Sequence, residues 1–150
     1  MRRQFTVTIS AAVSGCLLLA SAGCSYAGEF LTEKRLEEEL GGQTIKGYYL
    51  ADKVNFVEVY VAGGRIAYKD DLKADAGRWS VRGKLFCTFY DKIAGGCWYV
   101  VKHSVNCFEF HRESDHDPAS VAPADLLAVR PHARAARDSD KVTCESWFGS

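Results

Sequence analysis

Residues 84–101 read KLFCTFYDKIAGGCWYVV, and the two cysteines of this stretch, Cys87 and Cys97, lie ten positions apart among aromatic residues. Aromatic and β-branched residues favour extended strands, whereas the central DKIAGG is typical of a turn. With the turn at residues 91–93, Cys87 faces Cys97 directly across two antiparallel strands. The stretch therefore predicts a β-hairpin closed by a disulfide, worth about 2.8 kcal/mol in the chain-entropy model.

Two other roles of the cysteines fit the sequence less well. Zinc sites usually take pairs of ligands roughly two to four residues apart, and the chain has no Cys-x-x-Cys motif. A catalytic thiol needs an unpaired cysteine beside a base, whereas an even number of cysteines in an exported chain indicates disulfides. We therefore interpret the cysteines as structural and expect a second bridge, between Cys107 and Cys144, that ties down the C-terminal segment.

Residues 1–27 have the pattern of a secretory signal peptide: two arginines near the start, a short apolar run and then small residues. The apolar run is shorter than the roughly 20 residues that a membrane span needs. Cleavage after Ala27 would release a chain that begins at Gly28 and is periplasmic or secreted. The alternative is a membrane-anchored lipoprotein with a lipid on Cys24, but the usual leucine three residues before that cysteine is replaced by serine.

The charge of the chain excludes some partners. It contains 19 basic and 19 acidic residues, with no basic stripe or polybasic run. Nucleic acid and anionic membrane surfaces are therefore not expected partners, whereas a protein or an envelope component remains open.

Residues 28–112 are predicted to form a mainly β domain with one short N-terminal helix. Thr32 at the N-cap, leucines at 31, 36 and 40, and Gly41-Gly42 at the end predict that helix. Six strand-like segments follow, with tight turns between them, which is typical of an antiparallel meander forming a small barrel or sandwich. Their residues are 44–50, 54–62, 65–70, 78–90, 97–103 and 107–112.

Residues 113–150 contain all three prolines and few large apolar residues. This composition predicts a loop-rich tail with one short element near residues 125–129, held in place by the Cys107–Cys144 bridge.

Alternation along residues 78–90, taken as one strand, assigns the faces of the sheet. Trp79, Cys87 and Phe89 share the core side, whereas Phe86 lies on the solvent side. Trp98 joins Phe86 if the disulfide points inward. The two rings are then predicted to form a small exposed aromatic patch, a feature that often marks a contact surface.

The segment from His111 to Asp117 is the strongest candidate for a metal site. His111, Asp115 and His116 supply ligand types that suit zinc or manganese. No apolar neighbours would hold these ligands in a fixed geometry. We interpret the segment as a polar turn, with these three residues as weak metal candidates, and expect no cofactor.

Three segments, ELGGQTIKG, GRWSVRGKLFC and GGCWYVV, resemble the small exported bacterial proteins of the domain of unknown function 995 family. The resemblance covers residues 36–101. It implies that Cys87 and Cys97 correspond to the recurring cysteine pair of that family and Trp79 to its strand tryptophan. The family has no agreed activity, so the resemblance implies export and shape only. The tail lies outside the family pattern. The Tyr-Tyr-x-x-Asp-Gly turn that is usual in the family is replaced in this chain by YYLADK.

The leading functional hypothesis is a non-catalytic exported β-domain that acts as a binding or envelope-associated module. A second hypothesis is a carrier of a small apolar ligand inside a β-barrel. With six strands, however, we expect the interior to be filled by its own side chains. A hydrolase that uses His103 or His111 is the least favoured class, because no nucleophile–base pair can be named.

Overall fold

The structure, a computed structural model, describes residues 28–117 and 119–138. The predicted leader, with Cys24, and the predicted bridge partner Cys144 lie outside these residues. The described residues form two short helices, α1 (Glu33–Leu40) and α2 (Pro123–Ala128), and a 3-10 turn at Glu113–Asp115. Their strands are β1 (Glu29–Phe30), β2 (Thr44–Tyr49), β3 (Val54–Val61), β4 (Arg65–Asp70), β5 (Ala74–Arg82), β6 (Leu85–Tyr90), β7 (Gly96–Lys102), β8 (Cys107–Arg112) and β9 (Ala133–Arg137).

The strands pair antiparallel throughout, in the order β1-β7-β6-β5-β4-β3-β2-β9-β8. Because β8 also pairs with β7, strands β2 to β9 close into an eight-stranded barrel. The short β1 extends the edge of β7 beyond its pairing with β6. The prediction of a mainly β, antiparallel fold is confirmed, and the architecture is a barrel rather than a sandwich.

Within the C-terminal segment, residues 133–137 form a strand of the barrel, so the prediction of a loop-rich tail is wrong for β9. This strand lies between β2 and β8 and hydrogen bonds to both. Its sequence, ARAAR, has low strand propensity, and pairing on both edges holds it extended. Ala133 and Ala135 point into the barrel, where Ala135 packs close to Gly47 of β2.

Residues 78–90 form two strands rather than the single strand predicted. A two-residue turn at Gly83-Lys84 joins β5 to β6, and Gly83 has a φ of 59°, a conformation that glycine adopts readily. In this hairpin Val81 pairs with Phe86 and Trp79 with Thr88. Directly paired residues point to the same face, so the turn moves Phe86 to the interior.

The predicted N-terminal helix is present as α1, and it covers one end of the barrel. Leu31, Leu36 and Leu40 are fully buried in the main core, as the leucine spacing predicts. The backbone amide of Glu33 donates to Gly83 O at 2.8 Å, which attaches the helix to the β5–β6 turn. Thr32 occupies the N-cap position, but its side chain makes no capping hydrogen bond.

The core fills the half of the barrel next to α1. Phe86 packs edge-on against Tyr60, with ring centroids 4.8 Å apart, and stacks on Trp79 at 5.5 Å. A second, smaller cluster lies on the outer wall, where Leu126 of α2 packs with Tyr99 and Val101 of β7. The opposite half of the barrel interior is not filled, which corrects the expectation of a solid interior.

Candidate ligand-binding site

A cavity of about 540 Å³ occupies the half of the barrel that faces away from α1. It opens between the loops that join β2 to β3, β4 to β5 and β6 to β7, together with the residues that follow β8 and precede β9. The barrel therefore has one end covered by α1 and one end with an open pocket.

Aromatic side chains from four strands form the walls of this cavity. Tyr49 stacks on Phe56 with ring centroids 4.4 Å apart. Phe56 is followed by Tyr68 at 6.5 Å, and Tyr68 meets Tyr90 edge-on at 5.4 Å. Gly47 makes room for this arrangement, because a Cβ there would lie 2.2 Å from Phe56 Cζ.

The floor of the cavity carries one buried carboxyl group, that of Glu58, which is 6% exposed. The Tyr60 hydroxyl donates to its Oε2 and the Tyr90 hydroxyl to its Oε1. Burial raises the pKa of Glu58, and these two hydrogen bonds oppose the rise without cancelling it. Burial and the nearby Glu58 carboxyl also raise the pKa of Tyr60 and of Tyr90, so both phenols stay protonated donors.

A second tyrosine–carboxyl pair lies nearer the open end. The Tyr68 hydroxyl donates to Asp70 Oδ2 at 2.6 Å, and the backbone amides of Leu72 and Lys73 donate to Oδ1 at 2.8 Å. Partial burial opposes ionisation of Asp70, but these three hydrogen bonds outweigh it and lower the pKa. Asp70 is therefore an ionised carboxylate whose hydrogen bonds hold the β4–β5 loop.

The rim on the β8–β9 side is built from a stack of three side chains. The Trp98 and His132 rings are nearly parallel, with centroids 5.0 Å apart and an interplanar angle of 10°. Arg112 Nε donates to His132 Nδ1 at 3.1 Å, and its guanidinium lies 5.8 Å from the Trp98 ring centroid. Burial and the charge of Arg112 lower the pKa of His132, so the imidazole is neutral at pH 7.

The predicted exposed patch of Phe86 and Trp98 is wrong. Phe86 is fully buried in the core, and Trp98 is a partly buried wall residue of the cavity. The β5–β6 turn, which reverses the assignment of faces, is the cause. Trp98 does belong to the candidate site, but its side chain lies on the inner face of the barrel and not on the outer surface as predicted.

The predicted Cys87–Cys97 disulfide is present, and the two residues are direct partners across β6 and β7. Because the neighbouring pair Phe86–Trp98 points inward, the bridge lies on the outer wall, away from Trp79, and not in the interior as expected. Cys107 is 3% exposed and is also disulfide-bonded. Its partner lies outside the described residues, so the bridge to Cys144 stays a prediction.

The weak metal candidates do not form a ligand cluster. His111 is only 1% exposed and lies on the outer wall of β8, with its ring centroid 6.0 Å from that of His116. Asp115 belongs to the 3-10 turn and is exposed. Within residues 28–117 and 119–138, no group of three or more histidine, cysteine, aspartate or glutamate side chains is arranged to hold a metal ion.

The outer wall of β8 carries a second buried acid, Glu109, which is 5% exposed. His103 Nε2 lies 2.9 Å from its Oε2, His111 Nε2 lies 3.5 Å from the same oxygen, and Arg134 Nε donates to Oε1 at 2.9 Å. Burial opposes ionisation, but these neighbours outweigh it and hold the pKa of Glu109 well below its usual range. The two histidines named in the hydrolase hypothesis therefore meet a carboxylate outside the cavity.

Sequence reasoning missed most residues of the cavity. Glu58 shares one side of β3 with Phe56 and Tyr60, whereas the opposite side carries valines. Hydrophobicity alone favours the valine side for the interior. An acid between two aromatic residues on one face was the available signal, but it does not by itself identify a cavity.

Comparisons of the chain with protein-family models, with curated proteins and with solved structures found no match. Among the described residues, no helix has both the length and the apolar character needed to cross a membrane.

Proposed function

We propose that this protein binds a small organic molecule inside the open half of its barrel. The observation that carries this proposal is the cavity of about 540 Å³, walled by aromatic side chains and open at one end. Small-molecule sites typically enclose about 300–1,000 Å³ and combine apolar walls with a few placed polar groups. The cavity has both properties, with Glu58 and the tyrosine hydroxyls as the polar groups.

This proposal corresponds to the second hypothesis from the sequence, a carrier of a small ligand inside the barrel, rather than to the leading one, a binding or envelope-associated module with an outer aromatic patch. An exposed Phe86 would favour a surface-contact module, and this residue is buried. On the outer wall His103 hydrogen bonds to Glu109 and His111 Nε2 lies 3.5 Å from the same carboxylate, which favours a structural role over a hydrolase for both. A non-catalytic binding protein is therefore the function that the arrangement supports best.

We propose further that binding takes place outside the cytoplasm. The support is the leader-like pattern of residues 1–27, together with a disulfide on the barrel wall. Disulfides persist in oxidising compartments such as the periplasm. The resemblance to exported proteins of the domain of unknown function 995 family is a further reason for this location.

The experiment is a titration with N-phenyl-1-naphthylamine, a neutral fluorophore that brightens in apolar surroundings. Ala94 lines the mouth of the cavity and is exposed, so Ala94→Trp should obstruct entry without disturbing the core. Ala67→Trp, on an exposed outward position of β4, is the matched control. We expect saturable binding to the unmodified protein and the control, and weaker binding to Ala94→Trp. Absence of saturable binding, or equal binding by all three proteins, contradicts the proposal.

A further inference from the structure

The basic groups that line the cavity lie at its rim, whereas acidic groups lie both at the rim and at the floor. The carboxyl of Glu58 lies at the buried floor. Of the described lining residues, the basic ones are Lys73 and Arg112, both exposed, and His132, which is half-buried at the rim. A ligand that reaches the floor therefore meets an acid and no basic group.

Glu58 keeps hydrogen-bonding capacity for a ligand. Each of its oxygens accepts one hydrogen bond from a tyrosine hydroxyl, Oε2 from Tyr60 and Oε1 from Tyr90. An ionised carboxylate has about four acceptor positions, so roughly two remain. The phenol oxygen of Tyr60, which donates to Glu58, can also accept a hydrogen bond. The floor is consequently rich in acceptors and suits a group that donates several hydrogen bonds.

The aromatic walls favour positive charge in the same place. The faces of aromatic rings carry negative electrostatic potential, and cages of such rings bind ligand ammonium groups. Tyr49, Phe56, Tyr68 and Tyr90 form a continuous series of ring contacts around the cavity. Tyr68, one of these rings, is the direct cross-strand partner of Glu58. Rings and carboxyl therefore act together on a cation above the floor.

We infer that the ligand of this cavity carries an amine group, bound as an ammonium ion that donates to Glu58 between the tyrosine rings. This inference rests on the proposed binding function and specifies the chemistry of the ligand. The remainder of such a ligand is apolar or aromatic, in keeping with the walls. An ammonium group satisfies the free acceptors and neutralises the buried acid, whereas a carboxylate ligand would bring a second negative charge to the floor.

Proton release accompanies this binding mode. Burial raises the pKa of Glu58 in the empty cavity. The titratable groups that interact with this carboxyl are Tyr60 on the same strand, Tyr90 on β6, Tyr68 on β4 and Tyr49 on β2. None of them supplies a positive charge. When an ammonium ion binds, the O–H bond of any protonated Glu58 breaks and the proton passes to the buffer. Because binding releases a proton, the affinity for the amine should rise with pH across the titration of Glu58.

The test uses three naphthalene probes of matched size: 1-naphthylmethylamine, 1-naphthalenemethanol and 1-naphthoate. Calorimetric titration in two buffers of different ionisation enthalpy gives both the affinity and the number of protons released. We expect the amine to bind at least about tenfold more tightly than the alcohol, the size of a hydrogen bond to a charged group. Glu58→Gln should abolish this preference and the proton release while still binding the alcohol.

The control is Glu37→Gln, which removes an exposed carboxylate from α1 at the covered end of the barrel. It should retain the amine preference. If the alcohol or the naphthoate binds the unmodified protein as tightly as the amine, or if Glu58→Gln keeps the preference, the amine inference is wrong and the proposed binding function stands. If no probe binds, and the neutral fluorophore also fails to bind, both are overturned.

Discussion

The hydroxyl of Tyr90 donates a hydrogen bond to Glu58 Oε1 across the barrel interior, over a separation of 32 residues in the chain. The strands that carry these residues, β6 and β3, are not neighbours, because β5 and β4 lie between them in the sheet. Side chains on strands so far apart in a sheet meet only when the sheet is strongly curved. The pair therefore links closure of the barrel to the chemistry of the cavity floor.

Glu58→Gln should change how stability depends on pH. Because the pKa of Glu58 is raised above 4.5 in the folded chain, the unfolded chain binds fewer protons above that pH than the folded chain does. The free energy of unfolding consequently falls as pH rises from the unfolded pKa to the folded one, by about 1.4 kcal/mol per pH unit at most. Glutamine removes this fall and can still hydrogen bond to both tyrosines.

Urea unfolding of both proteins between pH 4.5 and neutral pH measures this effect. The variant should gain stability relative to the unmodified protein as pH rises. Glu37→Gln, whose side chain is exposed, should give a curve parallel to that of the unmodified protein. Parallel curves for Glu58→Gln as well would show that the buried carboxyl does not titrate as described.

Glu109→Gln should have the opposite pH dependence. The pKa of Glu109 is lowered, so its ionised form contributes stability above the unfolded pKa, and this contribution is lost as pH falls through the folded pKa. At neutral pH the substitution removes the carboxylate that Arg134, His103 and His111 contact. We expect it to lower the free energy of unfolding by about 3–5 kcal/mol. Thermal or urea unfolding should show the deficit at pH 7 and a smaller deficit in acid. A constant deficit at all pH values would indicate lost packing rather than lost charge.

The Cys87–Cys97 bridge should stabilise the barrel by about 3 kcal/mol, the chain-entropy value for a loop of this length. Replacing both cysteines by alanine tests this bridge alone, whereas a reductant would also attack the bond of Cys107. Guanidinium unfolding of the double variant gives the loss. Cys87 is fully buried, but Cys97 is one of the residues that line the cavity, so the unfolding free energy and not probe binding is the readout for this variant. Equal unfolding free energies for the double variant and the unmodified protein would contradict the predicted contribution of the bridge.

The strands with the clearest alternation were predictable. The segments at residues 65–70 and 107–112 were predicted with the bounds that β4 and β8 have in the structure. The β5–β6 turn was missed because Gly83-Lys84 lacks the Asn-Gly or Asp-Gly pattern of common hairpin turns. One missed turn reversed the face of every residue in β6, and the predicted aromatic patch at Phe86 followed from that error.

The cavity was beyond the reach of local patterns because its parts come from distant strands. Alanine-rich β9 is extended only because β2 and β8 bind both of its edges. The interior space depends on where small residues such as Gly47 and Ala135 meet, and alternation along single strands does not reveal such pairs. The disulfide, in contrast, depended on a local hairpin, and its pairing was predicted correctly.

Gly47→Ala should both destabilise the protein and reduce probe binding. The added Cβ would lie 2.2 Å from Phe56 Cζ, so the ring must move, and overpacking of this kind costs about 1–3 kcal/mol. Because Phe56 lines the cavity, its displacement also changes the space for a ligand. Phe56→Leu in the same chain should relieve the clash, so the double variant should be more stable than the sum of the single effects. Strict additivity would mean that the ring and the new methyl group do not compete.

Cys107 should be bonded to Cys144. Cys107 is disulfide-bonded, and its backbone pairs with Ala136 near the end of β9, so the chain passes beside it shortly before residue 144. A bridge there fastens the strand that closes the barrel, and its loop is long enough to contribute about 4 kcal/mol in the chain-entropy model. Non-reducing peptide mapping should recover one peptide pair that contains both cysteines. Replacing Cys144 by serine should lower the stability and leave the Cys87–Cys97 pair intact. A peptide that links Cys107 to a cysteine other than Cys144 would mean that β9 is held in the barrel by its hydrogen bonds and packing alone.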